Sequence, residues 1–189
     1  YQEVLMRVIA GTAKGHHLKF PKGAPTRPAT DLVRGAIFSI LENMTGDWDQ
    51  VLDLFSGSGA LGIEALSRGA GWVDFVDREP KCCAIIKENL EATKLAEKAH
   101  VYCTHVARAL SFLDKEYDII LMDPPYADTS IGSVIEQLAT SKLVGTATTV
   151  VVTHSPHLHL ESSYATLNQI KEHRHGDSYI AIYQKEAEA

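Results

Sequence analysis

Two stretches of the chain carry side chains able to do chemistry. The first is Val51-Leu52-Asp53-Leu54-Phe55-Ser56-Gly57-Ser58-Gly59-Ala60-Leu61-Gly62. Apolar residues surround Asp53 and then give way to a turn with almost no side-chain bulk. A buried parallel strand, Val51 to Phe55, a glycine turn and a helix from Ala60 to Arg68 are expected in that order. Such a unit lets backbone approach a ligand and offers the free N–H groups of a helix amino terminus. Gly57, Gly59 and Gly62 fit a Gly-x-Gly-x-x-Gly pattern, and Asp77 follows Gly57 by 20 residues, after the apolar run Val73 to Val76. Both features suit a dinucleotide. Asp53 tilts the reading, because a carboxylate beside the turn repels a pyrophosphate and attracts a sulfonium and an α-amino group. S-adenosylmethionine is therefore favoured over NAD, with Asp77 accepting hydrogen bonds from ribose hydroxyls. A plain α/β turn with Asp53 as a cap is the competing reading of the loop alone.

The second stretch is Asp123-Pro124-Pro125-Tyr126, after the apolar run Tyr117 to Met122. Two prolines at a strand end stop the ladder and fix a rigid extended turn. A carboxylate before the turn and an aromatic ring after it suit a planar substrate with an exocyclic amine. Asp123 and the Pro124 carbonyl can each accept one N–H of that amine, and Tyr126 can stack on the base. A structural turn is the commoner meaning of these four residues in isolation; their place beyond a glycine-rich cofactor loop favours the functional one.

The elements that position these stretches alternate. A β-hairpin is expected from Met6 to Ala10 and His17 to Phe20. A proline-containing loop from Pro21 to Pro28 follows, then a helix capped by Thr30 or Asp31 and running to Met44, with Val33, Ile37, Phe38 and Leu41 inward. Further strands are expected at Trp72–Val76, Val101–Cys103, Tyr117–Met122 and Thr148–Thr153. Helices are expected after Pro80, at Val106–Leu113 and at Ile131–Ala139. Tyr164–Lys171 and Tyr179–Gln184 read as a closing antiparallel pair. The whole is a doubly wound α/β sheet. Residues 1–28 form a small extension and residues 29–189 one catalytic domain.

The 189 residues suffice for one domain with a real core. No apolar run approaches the roughly 20 residues of a membrane span, and no secretory signal is visible. Cys82, Cys83 and Cys103 lack a Cys-x-x-Cys spacing and read as reduced thiols of a cytoplasmic protein. Met6 reads as a natural start. His154, His157 and His159, like His173 and His175, read as surface residues and not as a metal site. Net charge is −6, yet residues 1–35 hold six basic residues against two acidic ones, so a +4 segment precedes a −10 body. Such a basic arm can bind phosphate, although a solvated hairpin with scattered charge carries almost equal weight.

With these features in place, the chain resembles the bacterial 16S rRNA (guanine-N2)-methyltransferases of the RsmD type, from Met6 to about Lys185. The marks are Met6-Arg7-Val8-Ile9-Ala10-Gly11, Thr26-Arg27-Pro28-Ala29-Thr30-Asp31 with Val33-Arg34, the glycine loop, Glu64-Ala65-Leu66-Ser67-Arg68-Gly69-Ala70, and Asp123-Pro124-Pro125-Tyr126. The amino-terminal segment makes the match specific, since the other two motifs occur in many amino-methyltransferases. The resemblance implies a class I S-adenosylmethionine-dependent methyltransferase fold, Rossmann-like, with an antiparallel carboxyl-terminal strand pair and an amino-terminal β-hairpin that helps hold ribosomal RNA. It implies a cytoplasmic monomer acting on 16S rRNA within a small-subunit assembly particle. It implies direct displacement, the guanine N2 attacking the sulfonium methyl in line.

Asp123, Pro124, Pro125 and Tyr126 are then the catalytic set. Asp53, Phe55, Ser56, Gly57, Gly59, Asp77, Arg78, Arg108 and Ala109 face the cofactor. Arg7, Lys14, Arg27, Thr30, Arg34 and Tyr126 face the RNA. One departure stands out: Arg108 occupies the place where such enzymes usually carry an Asp or Asn near the adenine. Three other readings remain. A DNA adenine-N6 methyltransferase could use the same turn but usually needs an added recognition domain. An NAD-dependent oxidoreductase leaves Asp-Pro-Pro-Tyr unexplained. A non-catalytic RNA-binding assembly factor has no use for Asp53, Asp77 and Asp123 together.

Overall fold

The computed structural model describes residues 6–22, 30–44 and 46–186. Strands β1 (Met6–Arg7) and β2 (His17–Leu18) pair antiparallel, Met6 opposite Leu18, as a sheet of their own. The hairpin is shorter than the sequence suggests, because its connection folds onto the body. Gly11 lies at φ +84°, and a Cβ there would fall 1.8 Å from the Ser67 carbonyl oxygen, so only glycine fits. Met6, Val8, Ala13 and Leu18 are buried in the main core.

Helix α1 (Asp31–Met44) starts where the Thr30 hydroxyl accepts the Val33 N–H at 3.2 Å. Val33, Ile37, Phe38 and Leu41 are buried, as their spacing predicts. The chain then alternates through β3 (Gln50–Leu54), α2 (Ala60–Ser67), β4 (Trp72–Asp77), α3 (Pro80–Ala92), β5 (Ala99–Cys103), α4 (Val106–Phe112), β6 (Tyr117–Met122), α5 (Ile131–Ala139) and β7 (Val144–His154). It closes through β8 (Ser163–Tyr164), β9 (Leu167–His175) and β10 (Ser178–Lys185). The strand expected from Tyr164 to Lys171 is interrupted by Ala165 at φ +48°, which splits off β8.

One eight-stranded sheet runs β5-β4-β3-β6-β7-β10-β9-β8. Its first five strands are parallel and the remainder antiparallel. Two cores cover its faces. One packs the hairpin, α1 and α2 against Val51, Phe75, Ile119 and Val151. The other packs α4 and α5 against Leu52, Val76, Ile120 and Val152. The chain leaves β3 toward β4 and β5, then returns to the other side of β3 with β6. Ligands of such sheets bind at the carboxyl ends of the strands flanking that reversal. A boundary near residue 28 lies outside the described residues.

Candidate active site

Register brings the two chemical stretches together. Leu54 of β3 pairs with Val76 of β4 on one side and Met122 of β6 on the other. The residues just beyond, Phe55, Asp77 and Asp123, therefore share one carboxyl edge. Asp53 lies two residues inside it.

The glycine loop is braced from within. The Ser56 hydroxyl donates to the Asp53 carbonyl at 2.5 Å and accepts the Val76 N–H at 3.1 Å. The Gly59 N–H donates to the Ser56 carbonyl at 2.8 Å. Asp77 Oδ2 accepts the Gly57 N–H at 2.9 Å, and its Oδ1 accepts the Glu79 N–H at 2.9 Å. Asp53 Oδ2 accepts the Gly62 N–H at 3.0 Å, inside the first turn of α2. Phe55 takes a left-handed φ of +57°, unusual for a side chain and common at sites where the surroundings over-determine the backbone. A Cβ built on Gly57 would meet nothing within 4 Å, so the loop opens onto free space there.

Asp53 is only 1% exposed, so it acts through its field and through α2 more than by surface contact. Burial pushes its carboxyl well above the usual carboxylate range, opposed by the Gly62 hydrogen bond and reinforced by the charges of Asp123 and Asp77. Three carboxylates gathered at one edge need a cation. S-adenosylmethionine supplies one in its sulfonium and a second in its ammonium group, whereas a pyrophosphate would be repelled. The donor set and the open glycine cradle fit that cofactor.

Asp123 receives a hydrogen bond at Oδ1 from the Thr153 hydroxyl of β7. Pro124 is buried and Pro125 half-buried, and the Pro125 carbonyl accepts the Asp128 N–H at 2.9 Å. Tyr126 is 39% exposed, and its hydroxyl is bonded to Ser178 Oγ at the start of β10. The turn thus presents a fixed carboxylate and an accessible ring.

The structure redistributes several expected contacts. Arg34 is 0% exposed; it donates to the Arg7 carbonyl at 3.0 Å and to Asp31, and lies 3.7 Å from Glu64. It is a buried strut and not an RNA-facing cation, because α1 turns it inward beside Phe38. Ala109 is likewise fully buried among Leu110 and Leu113, with its N–H given to the His105 carbonyl at 3.0 Å, so it offers no surface to a cofactor. Arg78 and Arg108 are exposed, and Arg78 pairs with Glu79 at 3.4 Å. Arg7 and Lys14 are exposed on the hairpin; Thr30 is exposed and caps α1; Arg27 lies outside the described residues. His154 is buried at the end of β7, because it alternates onto the α5 face of the sheet. Burial, then the neighbouring Cys103 thiol and, less, Asp77 push the Cys83 thiol up to about 12, which leaves it a poor nucleophile.

Four positions carry weight that no spacing announces: Thr153, Ser178, Glu64 and Asn89. Glu64 of α2 accepts the Ile9 and Ala10 N–H groups at 2.9 and 3.0 Å and the Arg68 Nε at 2.9 Å. Asn89 of α3 accepts the Lys19 N–H at 2.8 Å and donates to the carbonyls of Lys19 and Ser58 at 2.8 and 2.9 Å. The hairpin is therefore bolted to α2, the helix that follows the cofactor loop, and through Asn89 of α3 to the loop itself.

Sheet order, glycine loop and Asp-Pro-Pro-Tyr edge together define a class I S-adenosylmethionine-dependent methyltransferase. A family model described as conserved hypothetical protein 95 matches residues 6–184. The chain is 30% identical to ribosomal RNA small subunit methyltransferase D of Escherichia coli (strain K12) over 97% of its length and 91% of that protein. It is 37% identical to YlbH of Bacillus subtilis (strain 168), covering 95% of this chain and 99% of that one. The solved structure of yhhF from Escherichia coli superposes with a TM-score of 0.84 at 29% identity, covering 97% of this chain and 99% of that one. The chain belongs to this family, that of the RsmD-type methyltransferases.

Proposed function

We propose that this chain transfers a methyl group from S-adenosylmethionine to the exocyclic N2 amine of a guanine in 16S rRNA. The carrying observation is Asp123, fixed by Thr153 on the same sheet edge as Asp53 and Asp77 and followed by two prolines and an exposed tyrosine ring. The name of the Escherichia coli relative, a ribosomal RNA small subunit methyltransferase, supports RNA of the small subunit as the substrate.

When bound, S-adenosylmethionine supplies an electrophilic methyl group. The protein's part is to bind and orient. Asp53 and Asp77 set the field and shape of the cofactor loop. Asp123 accepts an N–H of the target amine, with the Pro124 carbonyl as second acceptor, and so aims the nitrogen lone pair. Tyr126 stacks on the flipped base, and its bond to Ser178 fixes the plane of the ring. As the amine nitrogen becomes cationic its proton grows acidic, and Asp123 or water takes it. The exposed cations of the hairpin, Arg7, Lys14 and Lys19, hold the RNA backbone.

The experiment is single-turnover transfer of labelled methyl from S-adenosylmethionine to 16S rRNA isolated from a strain lacking this gene, with the modified atom located by mass spectrometry. N2-methylguanine is the expected product. Methylation of a ring carbon, a ribose oxygen or an adenine would overturn the assignment.

A further inference from the structure

On the sheet face opposite Asp123 a cavity of about 450 Å³ lies beneath the segment 155–162. His154, His157, His159, Glu161, Glu172 and Tyr179 are among the residues that line it. Its place is set by the same two strands that hold the catalytic turn. Thr153 bonds Asp123, and the next residue along β7 is His154. Ser178 bonds Tyr126, and the next residue along β10 is Tyr179. Successive side chains of a strand point to opposite faces, so the cavity begins one residue from each anchor, around the sheet edge.

Three planar groups stand in register there. Tyr179 pairs across the ladders with His154 of β7 and Arg174 of β9. The His154 and Tyr179 rings are stacked at 5.4 Å and 17°, and the Arg174 guanidinium lies 5.8 Å from the Tyr179 ring centre. The row is packed face to face across β7, β10 and β9, so it forms a flat, rigid wall of the cavity against which an unpaired base can lie.

The polar chemistry narrows the ligand. His154 Nδ1 lies 2.9 Å from the Ser155 carbonyl, which can only accept, so Nδ1 carries a proton, and the neutral ring presents its lone pair at Nε2. His154 is 4% exposed, yet its Nε2 has no hydrogen-bond partner. Glu172 Oε1 stands 3.8 Å away, outside hydrogen-bond reach of the ring nitrogen. Adjacent acceptors ask for adjacent donors. Among the bases, guanine alone offers a ring N–H beside an amine. Uracil flanks its N–H with carbonyls, and adenine and cytosine set their amines beside a ring acceptor. Glu161 and Glu172 repel a phosphate, so the edge turned inward belongs to a base and not to the backbone.

We infer that this cavity is a second base pocket, which receives an unpaired guanine flanking the methylated nucleotide as the RNA passes over the carboxyl edge of the sheet. This rests on the reading of the chain as an RNA methyltransferase.

The test uses fluorescence anisotropy with the full chain and S-adenosylhomocysteine. The probes are short single-stranded oligouridylates carrying two adjacent guanosines, two adjacent inosines, or neither. Inosine lacks the N2 amine. The Asp123→Ala background removes amine capture at the catalytic turn. In that background the guanosine probe is expected to bind about tenfold more tightly than the inosine probe, the discrimination of one good bidentate contact. Adding Glu172→Ala, or separately His154→Phe, which keeps the stacked ring, brings the ratio to about one. Thermal melting confirms that each variant folds. A ratio near one in Asp123→Ala alone, or a ratio that survives both added changes, overturns the pocket. Methyl transfer to 16S rRNA by the unmodified protein is followed in parallel. Transfer without a pocket-dependent preference removes the pocket alone. A pocket-dependent preference without transfer removes the enzymatic reading and keeps a guanine-binding pocket.

Discussion

Thr153 donates its hydroxyl to Asp123 across the step between β7 and β6, so the carboxylate at the catalytic turn is aimed by the neighbouring strand. The contact follows from register: Met122 pairs with Val152, and the next residues on each strand meet. Thr153→Val keeps the shape of the side chain and removes the donor. Single-turnover methyl transfer is expected to fall roughly ten- to hundredfold, because a small displacement of a positioning group has a large effect on rate. Affinity for S-adenosylhomocysteine should not move. Asp123→Ala should lose roughly two orders of magnitude or more. A Thr153→Val rate within twofold of the parent would show that β7 does not aim Asp123.

Asp53 shows a cost of the site. Burial, the charge of Asp123 and that of Asp77 raise its carboxyl, outweighing the Gly62 hydrogen bond. A carboxyl whose folded value lies above its unfolded value binds its proton more tightly in the native state. Native stability therefore falls as pH rises from about 3.9, the ordinary Asp value, through the raised one. Asp53→Asn is expected to melt higher than the parent at pH 7 without cofactor, with the advantage shrinking as pH approaches 4. The same change should weaken S-adenosylmethionine more than S-adenosylhomocysteine, which lacks the sulfonium charge. Calorimetry and thermal melts across pH check both. A variant that melts lower than the parent at pH 7 would refute the first expectation, and equal loss for both ligands the second.

Glu64 tests how the hairpin is held. It is fully buried, accepts two backbone N–H groups from the β1–β2 connection, and lies 3.7 Å from the buried Arg34 and 2.9 Å from Arg68. Glu64→Ala strands those donors and removes one of the two carboxylates beside the buried Arg34, leaving it Asp31, an effect of about 3–5 kcal/mol. Denaturant unfolding should show that loss. Limited proteolysis should then cut within residues 6–22 before the rest of the chain. A loss below about 1 kcal/mol would mean that the arm is held by its apolar contacts instead.

These contacts mark what the sequence could and could not tell. The strand, glycine turn and helix from Gln50 to Ser67, and the proline turn after Met122, are legible because their signals are local: apolar runs, glycines and prolines within a dozen residues. Thr153 is 30 residues from Asp123, Ser178 is 52 from Tyr126, and Glu64 is 55 from Ile9. Those meetings depend on sheet order and register, which no short window carries. Arg34 misleads for a related reason. An arginine on an amphipathic helix reads as solvent-facing by default, and only the docked hairpin, with the Arg7 carbonyl, and α2, with the Glu64 carboxylate, supply the long-range partners that let it be buried. His154 reads as a surface loop residue because β7 extends one residue past the apolar run.

The arm's cations give a salt-dependent expectation. Arg7 and Lys14 are exposed, whereas Lys19 is already engaged with Glu88 at 3.3 Å. Arg7→Ala with Lys14→Ala should lower the slope of log affinity for 16S rRNA against log salt by about 1.4, at about 0.7 for each lost contact to single-stranded RNA. Adding Lys19→Ala should change it less than either of the others. Filter binding at several salt concentrations decides this, and an unchanged slope in the double variant would take the hairpin out of the RNA interface.

Tyr126 separates stacking from anchoring. Its ring is open to solvent, and its hydroxyl reaches Ser178 on β10. If the ring alone mattered, Tyr126→Phe would match the parent. The bond to Ser178 adds a second role, since it fixes the plane on which the base must lie. Tyr126→Ala should lose about 1–3 kcal/mol of RNA binding, the usual worth of one stacked base. Tyr126→Phe should keep that binding and lose roughly threefold to tenfold in single-turnover rate, because a mobile ring holds the base less well for in-line transfer. Ser178→Ala removes the same bond from the other side and should reproduce the Phe variant. The double variant should then be no slower than either single change, as expected for two partners of one bond. Additive losses would show that the two residues act separately, and a fully active Ser178→Ala would show that the ring is held by the proline turn alone.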